Sequence, residues 1–226
     1  GTSQAQEGPK QPPAVITEIE TSFVELADQI RPFVVNIQSK RTSAQTPTDI
    51  QNFHELFRFF GLPVPENGPR MQRPMQTALG SGFIYDESGH IITNNHMVED
   101  ATEVKVKMAD GSEYAATVVG RDPDTDLAVI KIEPKADLPV APLGDSNQIK
   151  VGQFAIACGS PQGLQGTFTF GHISALRRNE LDLPGLRFEN FIQTDAPINV
   201  GNSGGPLCDA HGRVIYVGKA KSLRQR

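Results

Sequence analysis

The sequence predicts an all-β protein made of two sandwich- or barrel-like units, and three observations carry that expectation. From Ala78 onward, short segments rich in β-branched and aromatic residues follow one another at even spacing, divided by turn signals such as Asp86-Glu87-Ser88-Gly89 and Arg121-Asp122-Pro123-Asp124. No long 3.6-residue hydrophobic period interrupts them. The procession pauses between residues 134 and 150, which divides it into two sets.

Taken in order, residues 1–14 read as a disordered lead-in, polar and Pro-containing. Residues 17–29 have helical spacing, with Ile19, Phe23, Val24, Leu26 and Ile30 expected on one side, and Arg31-Pro32 ends the helix. Residues 33–39 form a strand. The segment 41–76 is rich in Pro, Gln, Asn and Thr, yet it contains HELFRFFGLPVP with Phe53, Leu56, Phe57, Phe59, Phe60 and Leu62. A solvated loop does not carry so many large apolar groups, so this one is expected to dock, either on the body of the protein or on another subunit. The first set of strands then covers residues 80–85, 90–94, 103–108, 113–119 and 127–132. The second covers 153–158, 167–176, 188–194, 205–208 and 214–217. The resulting division is a helix and first unit over 15–136 and a second unit over 137–226.

Composition narrows the function classes. The chain has 226 residues, a hydrophobic content of 38% and a charged content of 21%, which suit an ordinary core-forming protein. A net charge of −5 argues against nucleic acid as the main partner, since phosphate binding needs clustered positive charge. No apolar run reaches the ~18 residues of a membrane span. The start, GTSQAQEGPKQPPA, lacks the apolar core of a signal peptide, so an exported protein would already have lost its signal. Cys158 and Cys208 lie among apolar residues and outside any zinc-type cluster. Buried free thiols are expected, with a disulfide between them the open alternative, and neither metal nor cofactor is called for.

The chemistry concentrates in NVGNSGGPLCDA, where Ser203 stands in Gly201-Asn202-Ser203-Gly204-Gly205. A serine hydroxyl needs a base to remove its proton, and the base needs a buried carboxylate to fix its tautomer. Of the five histidines, His54 lies in the long loop, His90 and His211 beside hairpin glycines, and His172 inside a strand. His96 is delivered at the end of the strand Ile91-Ile92-Thr93-Asn94-Asn95, just before a turn of helix. Asp122, Asp124 and Asp126 compete for the third place, and Asp126 is the one adjoining the apolar run LAVIKI. The order His96, Asp126, Ser203 is the chain order of chymotrypsin-type proteases, and the reverse of the α/β-hydrolase order. Although the serine also fits a G-x-S-x-G elbow, only Asp209 and His211 follow it, in a hairpin turn, and this excludes an esterase of that class.

The set GSGFIYDESGHIITNNHMVEDA, DPDTDLAVIKI, LGDSNQIKVGQFAIACGSPQGL, TFGHISAL and FIQTDAPINVGNSGGPL resembles the protease domain of the HtrA/Deg family of trypsin-fold serine endopeptidases. The resemblance covers most of residues 20–215. It implies two antiparallel β-barrels with the active site between them, His96 as general base, Asp126 as its orienting carboxylate and Ser203 as nucleophile. It implies an oxyanion hole from the backbone N–H groups of Gly201, Asn202 and Ser203, and an apolar specificity pocket lined by Ile198 and Val200. Gly204 and Gly205 are expected to permit close backbone packing beneath the serine. Asn202 stands where digestive relatives carry the Asp that pairs with a newly cut N-terminus, so no zymogen processing is expected. The resemblance further implies ATP-independent degradation of unfolded proteins in an exported, periplasmic setting, and a homotrimer or larger assembly through the loop at 41–76.

After Val214-Ile215 the resemblance stops. The second unit is expected to count one strand fewer than a complete barrel, leaving an open edge, with no PDZ module expected after it. Two functions therefore stand side by side: an active endopeptidase, and a protease-fold binding or chaperone-like module impaired by an incomplete second barrel.

Overall fold

In the strand Leu127–Ile132 every second residue turns inward, so that Ala128, Ile130 and Ile132 are buried while their neighbours are half-buried. That period-2 pattern, with β-branched residues on the inner face, is what the β conformation requires of a sheet wrapped around one core. The computed structural model describes residues 12–41, 76–160, 166–178, 191–198 and 202–218. The phenylalanine cluster of the long loop, most of the lead-in, Val200 and Gly201 lie outside the described residues.

A helix α1 (Ala14–Ile30) opens the described chain, and Pro32 stops it in a 3-10 turn. Its inward face is narrower than the sequence indicates. Ile30 is buried, Leu26 packs against the core, and Phe23 meets the rings of Phe170 at 4.5 Å and Phe154 at 5.6 Å. Val24 falls off this stripe and Ile19 lies a turn beyond its contacts, so both are exposed, a correction to the expected apolar side.

Six strands follow: β1 (Val34–Arg41), β2 (Gln76–Ile84), β3 (His90–Asn94), β4 (Ala101–Lys107), β5 (Glu113–Asp122) and β6 (Leu127–Ile132). A short helix α2 (Asn95–Val98) joins β3 to β4. The strands close into a barrel in the order β1-β2-β3-β6-β5-β4, all neighbours antiparallel. Five further strands, β7 (Phe154–Gly159), β8 (Thr167–Arg178), β9 (Phe191–Thr194), β10 (Pro206–Cys208) and β11 (Val214–Val217), build a second sheet in the order β11-β10-β7-β8-β9. Residues 188–190, expected to begin the strand at β9, lie outside the described residues.

Closed barrel and curled sheet together form the double-barrel architecture of trypsin-type folds, the fold class expected. The main core spans both units: Ile37, Phe83, Ile91 and Ile130 of the barrel share one cluster with Ile156, Cys158, Cys208 and Val214 of the sheet. Cys158 and Cys208 are free and buried. Burial first, and then the neighbouring Cys208 thiol, push the Cys158 thiol well above its ordinary range.

Candidate active site

The β3–β6 ladder builds half of the site. It pairs His90 with Lys131 at one end and Asn94 with Leu127 at the other. The residues just past that second end, His96 and Asp126, must therefore lie side by side. His96 is not a strand-end residue, as the sequence suggests, but the second residue of α2, because β3 stops at Asn94.

Asp126 has a left-handed backbone, φ 59°, an uncommon conformation for a non-glycine residue. That turn lets it face α2 with both main chain and side chain. Its carbonyl accepts the Asn95 N–H at 2.9 Å and the Asn94 Nδ2–H at 3.1 Å. Its Oδ1 accepts the His96 N–H at 3.0 Å, and its Oδ2 lies 2.8 Å from His96 Nδ1. The exposed N–H groups of a helix start are thus met by one acidic residue. With Oδ2 accepting from Nδ1–H, the free ring nitrogen Nε2 keeps its lone pair for proton abstraction.

The same double contact recurs at His90, whose N–H donates to Asp86 Oδ1 at 3.1 Å, so burial and place in the fold are what set the Asp126 pair apart. His90 Nδ1 is 2.7 Å from Asp86 Oδ2, but the pair sits on the hairpin turn at the opposite end of β3, and the Asp86 side chain is 36% exposed against 8% for Asp126. The N–H groups of His172 and His211 donate to Asp195 Oδ1 and Asp209 Oδ1, but their ring Nδ1 atoms stand 3.7 and 3.8 Å from Oδ2, too far for hydrogen bonds. Asp122, a rival on sequence grounds, accepts the Thr125 hydroxyl at 2.7 Å and the Asp124 N–H at 3.0 Å in a local turn. The Thr125 hydroxyl holds its carboxyl below the usual carboxylate range.

The Ser203 loop comes from the sheet and rests on the barrel. The Ser81 N–H on β2 donates to the Ser203 carbonyl at 2.8 Å. Behind it, the Gly204 N–H donates to the Gly218 carbonyl at 2.9 Å, and the Gly205 N–H to that of Asn202 at 3.0 Å. Gly204 sits at φ +81°, and a Cβ there would come within 2.3 Å of the Ser81 carbonyl oxygen. At Gly205 a Cβ would meet the Cys158 carbonyl oxygen at 2.1 Å. Any side chain at either position would lift the loop off its seat.

Asn202 and Ser203 are buried, whereas Ile198 is 38% exposed. Among the described residues no hydrogen bond yet joins the Ser203 hydroxyl to His96. Such contacts tighten on substrate binding, so the free-state geometry leaves the pairing available.

Sequence reasoning missed the supports of this loop. The Ser81 Oγ accepts the Ser160 N–H at 2.8 Å, and the Asn36 Nδ2 donates to the Ser160 carbonyl at 2.6 Å. Thr93 Oγ1 donates to the Ser81 carbonyl at 2.8 Å. Asn36, Ser81 and Thr93 are all fully buried, so each polar group needs a partner. The available signal was a polar side chain placed inside an otherwise apolar strand run.

A cavity of about 610 Å³ opens between barrel and sheet, lined by Asn94 and Leu127 of the one and Leu176, Phe191, Ile192 and Tyr216 of the other, among others. Ile198 is not among its lining residues.

Residues 80–216 match the model of the trypsin-like peptidase domain. The chain belongs to the trypsin-like peptidase family, in its HtrA/Deg branch. Among its HtrA/Deg relatives, a probable periplasmic DegP-like serine endoprotease of Chlamydia muridarum is 44% identical over 220 residues, which are 91% of this chain and 44% of that protein. A DegP-like counterpart from Pseudomonas fluorescens is 44% identical over 207 residues and is covered to 42%. The chain thus spans less than half the length of these curated relatives. Of the solved HtrA/Deg structures, Deg5 superposes with a TM-score of 0.67 at 33% identity, covering 90% of this chain and 86% of Deg5. The HtrA-type protease AlgW with tripeptide gives 0.68 at 36% identity, covering 86% and 53%.

Proposed function

We propose that the protein is an ATP-independent serine endopeptidase acting through an acyl-enzyme. The observation that carries the reading is the grip of buried Asp126 on both the backbone and the ring of His96, with Ser203 seated on the adjoining strand β2. Ser203 Oγ attacks the scissile carbonyl carbon while His96 Nε2 takes its proton, and Asp126 stabilises the imidazolium that forms. The tetrahedral oxyanion is received by backbone N–H groups of Gly201, Asn202 and Ser203. Each such donor contributes about 3 kcal/mol of transition-state stabilisation. His96 then passes the proton to the leaving amine, and water releases the acyl group by the same route.

Unfolded polypeptides are the proposed substrates, with Ile198 and Val200 lining an apolar specificity pocket. Protein quality control in the periplasm, or another exported compartment, is the proposed setting, supported by the names of the DegP-like relatives. Assembly as a homotrimer or larger homo-oligomer is assigned to the loop at 41–76.

Ser203→Ala is expected to abolish casein cleavage, and cleavage that persists overturns the assignment. A second reading, an impaired binding or chaperone-like module, draws on the two edge strands of the sheet among the described residues, β9 and β11. A fluorophosphonate probe separates the two: a formed triad and oxyanion hole becomes labelled at Ser203, whereas the impaired module does not.

A further inference from the structure

Helix α2 is a single turn, and a helix that short leaves most of its carbonyl groups without intrahelical partners. Here those carbonyls are occupied. The Asn95 carbonyl accepts the Glu99 N–H at 2.9 Å. The next two are taken by side chains of one strand: the Arg41 Nη2–H donates to the His96 carbonyl, and the Ser39 Oγ–H donates to the Met97 carbonyl at 2.5 Å. Asp126 holds the N–H groups at the other end of α2, so this turn of helix is gripped from both ends.

We infer that Ser39 and Arg41 form a positioning clamp for the general base, acting on His96 through its backbone. The inference rests on the reading of His96 as base. It follows from how a side chain is aimed. The Asp126 contacts fix the first two residues of α2 and the His96 ring. Two carbonyl contacts from β1 fix the same turn from its other end, which keeps the half-exposed ring on its Asp126 contact.

The strand is shaped for this task. Ser39 is fully buried, so its hydroxyl has Met97 as a committed acceptor. At Lys40/Arg41 the ladder to β4 slips register, pairing Lys40 with Glu103 but Arg41 with Ala101. The extra residue is Thr102 of β4, and Arg41 is the last residue of β1 beyond that break in the ladder. Lys40 turns to Glu103 at 2.7 Å, while Arg41 turns to α2. Arg41 is also paired with Gln76 on β2, where the long loop rejoins the barrel. The clamp thus stands between the two ends of that loop.

The test uses the full chain with three variants, Arg41→Ala, Arg41→Lys and Ser39→Ala, each read by peptide kinetics, thermal midpoint and the NMR line of the His96 Nδ1 proton. Arg41→Ala is expected to lower kcat about tenfold with KM unchanged, a loss of the size that small misplacements of a reacting group produce. Its thermal midpoint should match the parent protein, because the side chain is only half-buried. The Nδ1 line should broaden. Arg41→Lys, which retains a donor, should recover part of the rate and the line, and Ser39→Ala should broaden the line further. An unchanged kcat and an unchanged line in Arg41→Ala overturn the clamp. The NMR arm is independent of turnover: a parent protein that cleaves nothing, but whose line broadens in Arg41→Ala, refutes the endopeptidase reading and leaves the clamp standing.

Discussion

In the barrel every strand has a partner on both sides; in the second sheet, among the described residues, β9 has one, and β11 has β10 on one side and a single bridge from Leu143 on the other. The two halves divide the site unequally. His96 and Asp126 come from the ends of adjacent barrel strands whose register pairs Asn94 with Leu127, so their meeting is fixed by a main-chain ladder. Ser203 comes from the sheet, just before the three-residue strand β10, and the contacts that hold it from the barrel are those of Ser81. The difference teaches that His96 and Asp126 are assembled within one unit, whereas Ser203 is placed by how the two units meet.

The largest expected effect isolates the barrel's contribution. Asp126→Asn retains an oxygen for the His96 N–H but presents the ring with the wrong partner, and kcat should fall about 10⁴-fold. The thermal midpoint should stay close to that of the parent protein. Steady-state cleavage of a peptide substrate measures the loss, and a variant within tenfold of the parent breaks the asymmetry drawn above.

Next comes packing. Ile130 is fully buried in the core that fills the barrel, while Ile173 belongs to a smaller cluster with Ala155, Ala157, Ala196, Leu207 and Ile215. Around Ile173 the open sheet can relax into the space a deletion leaves. Ile130→Ala is expected to cost about 4 kcal/mol and Ile173→Ala about 2 kcal/mol, read from urea titrations. Equal losses would show that the open sheet is as unyielding as the barrel.

The smallest effect concerns Tyr216 on edge strand β11. Burial pushes its phenol up to about 12 from an ordinary 10.0. The folded state therefore keeps a proton that the unfolded chain releases, and stability declines as pH rises from about 10 to about 12. Tyr216→Phe should flatten that part of the stability–pH curve. An unaltered alkaline slope would show that β11 leaves the phenol wet.

Much of this was legible in the sequence because strands announce themselves locally. The alternation in LAVIKI, the turn at Asp86-Glu87-Ser88-Gly89 and the run before His96 each reflect forces acting within a few residues. Strand ends were less legible. β5 continues to Asp122 because β6 is there to pair with it, and no propensity within GRD foretells that. The sequence singles out His96, but its place inside α2 is not legible there, since the turn of helix exists through bonds to Asp126 and β1. Ser81, Asn36 and Arg41 were illegible for the same reason: their partners are distant in sequence, and only the folded chain shows what a buried serine or a strand-end arginine touches. Ile19 and Val24 show the converse, apolar residues whose periodicity promised a wider buried face than the stripe of α1 that packs.

Gly204 carries one further consequence. A Cβ there would strike the Ser81 carbonyl and Thr93 Oγ1 of the barrel, at 2.3 and 2.4 Å. The neighbouring Gly205 is confined in the same way by Cys158 of the sheet. The serine loop is therefore threaded through a gap with no clearance on either wall, and the two halves are not freely exchangeable modules. A chimaera that grafts the second half of a relative onto this barrel would need both glycines and a β2 backbone at the same height. Recombination between family members should therefore tolerate crossover points in the connecting segment only when the two walls arrive as a matched pair.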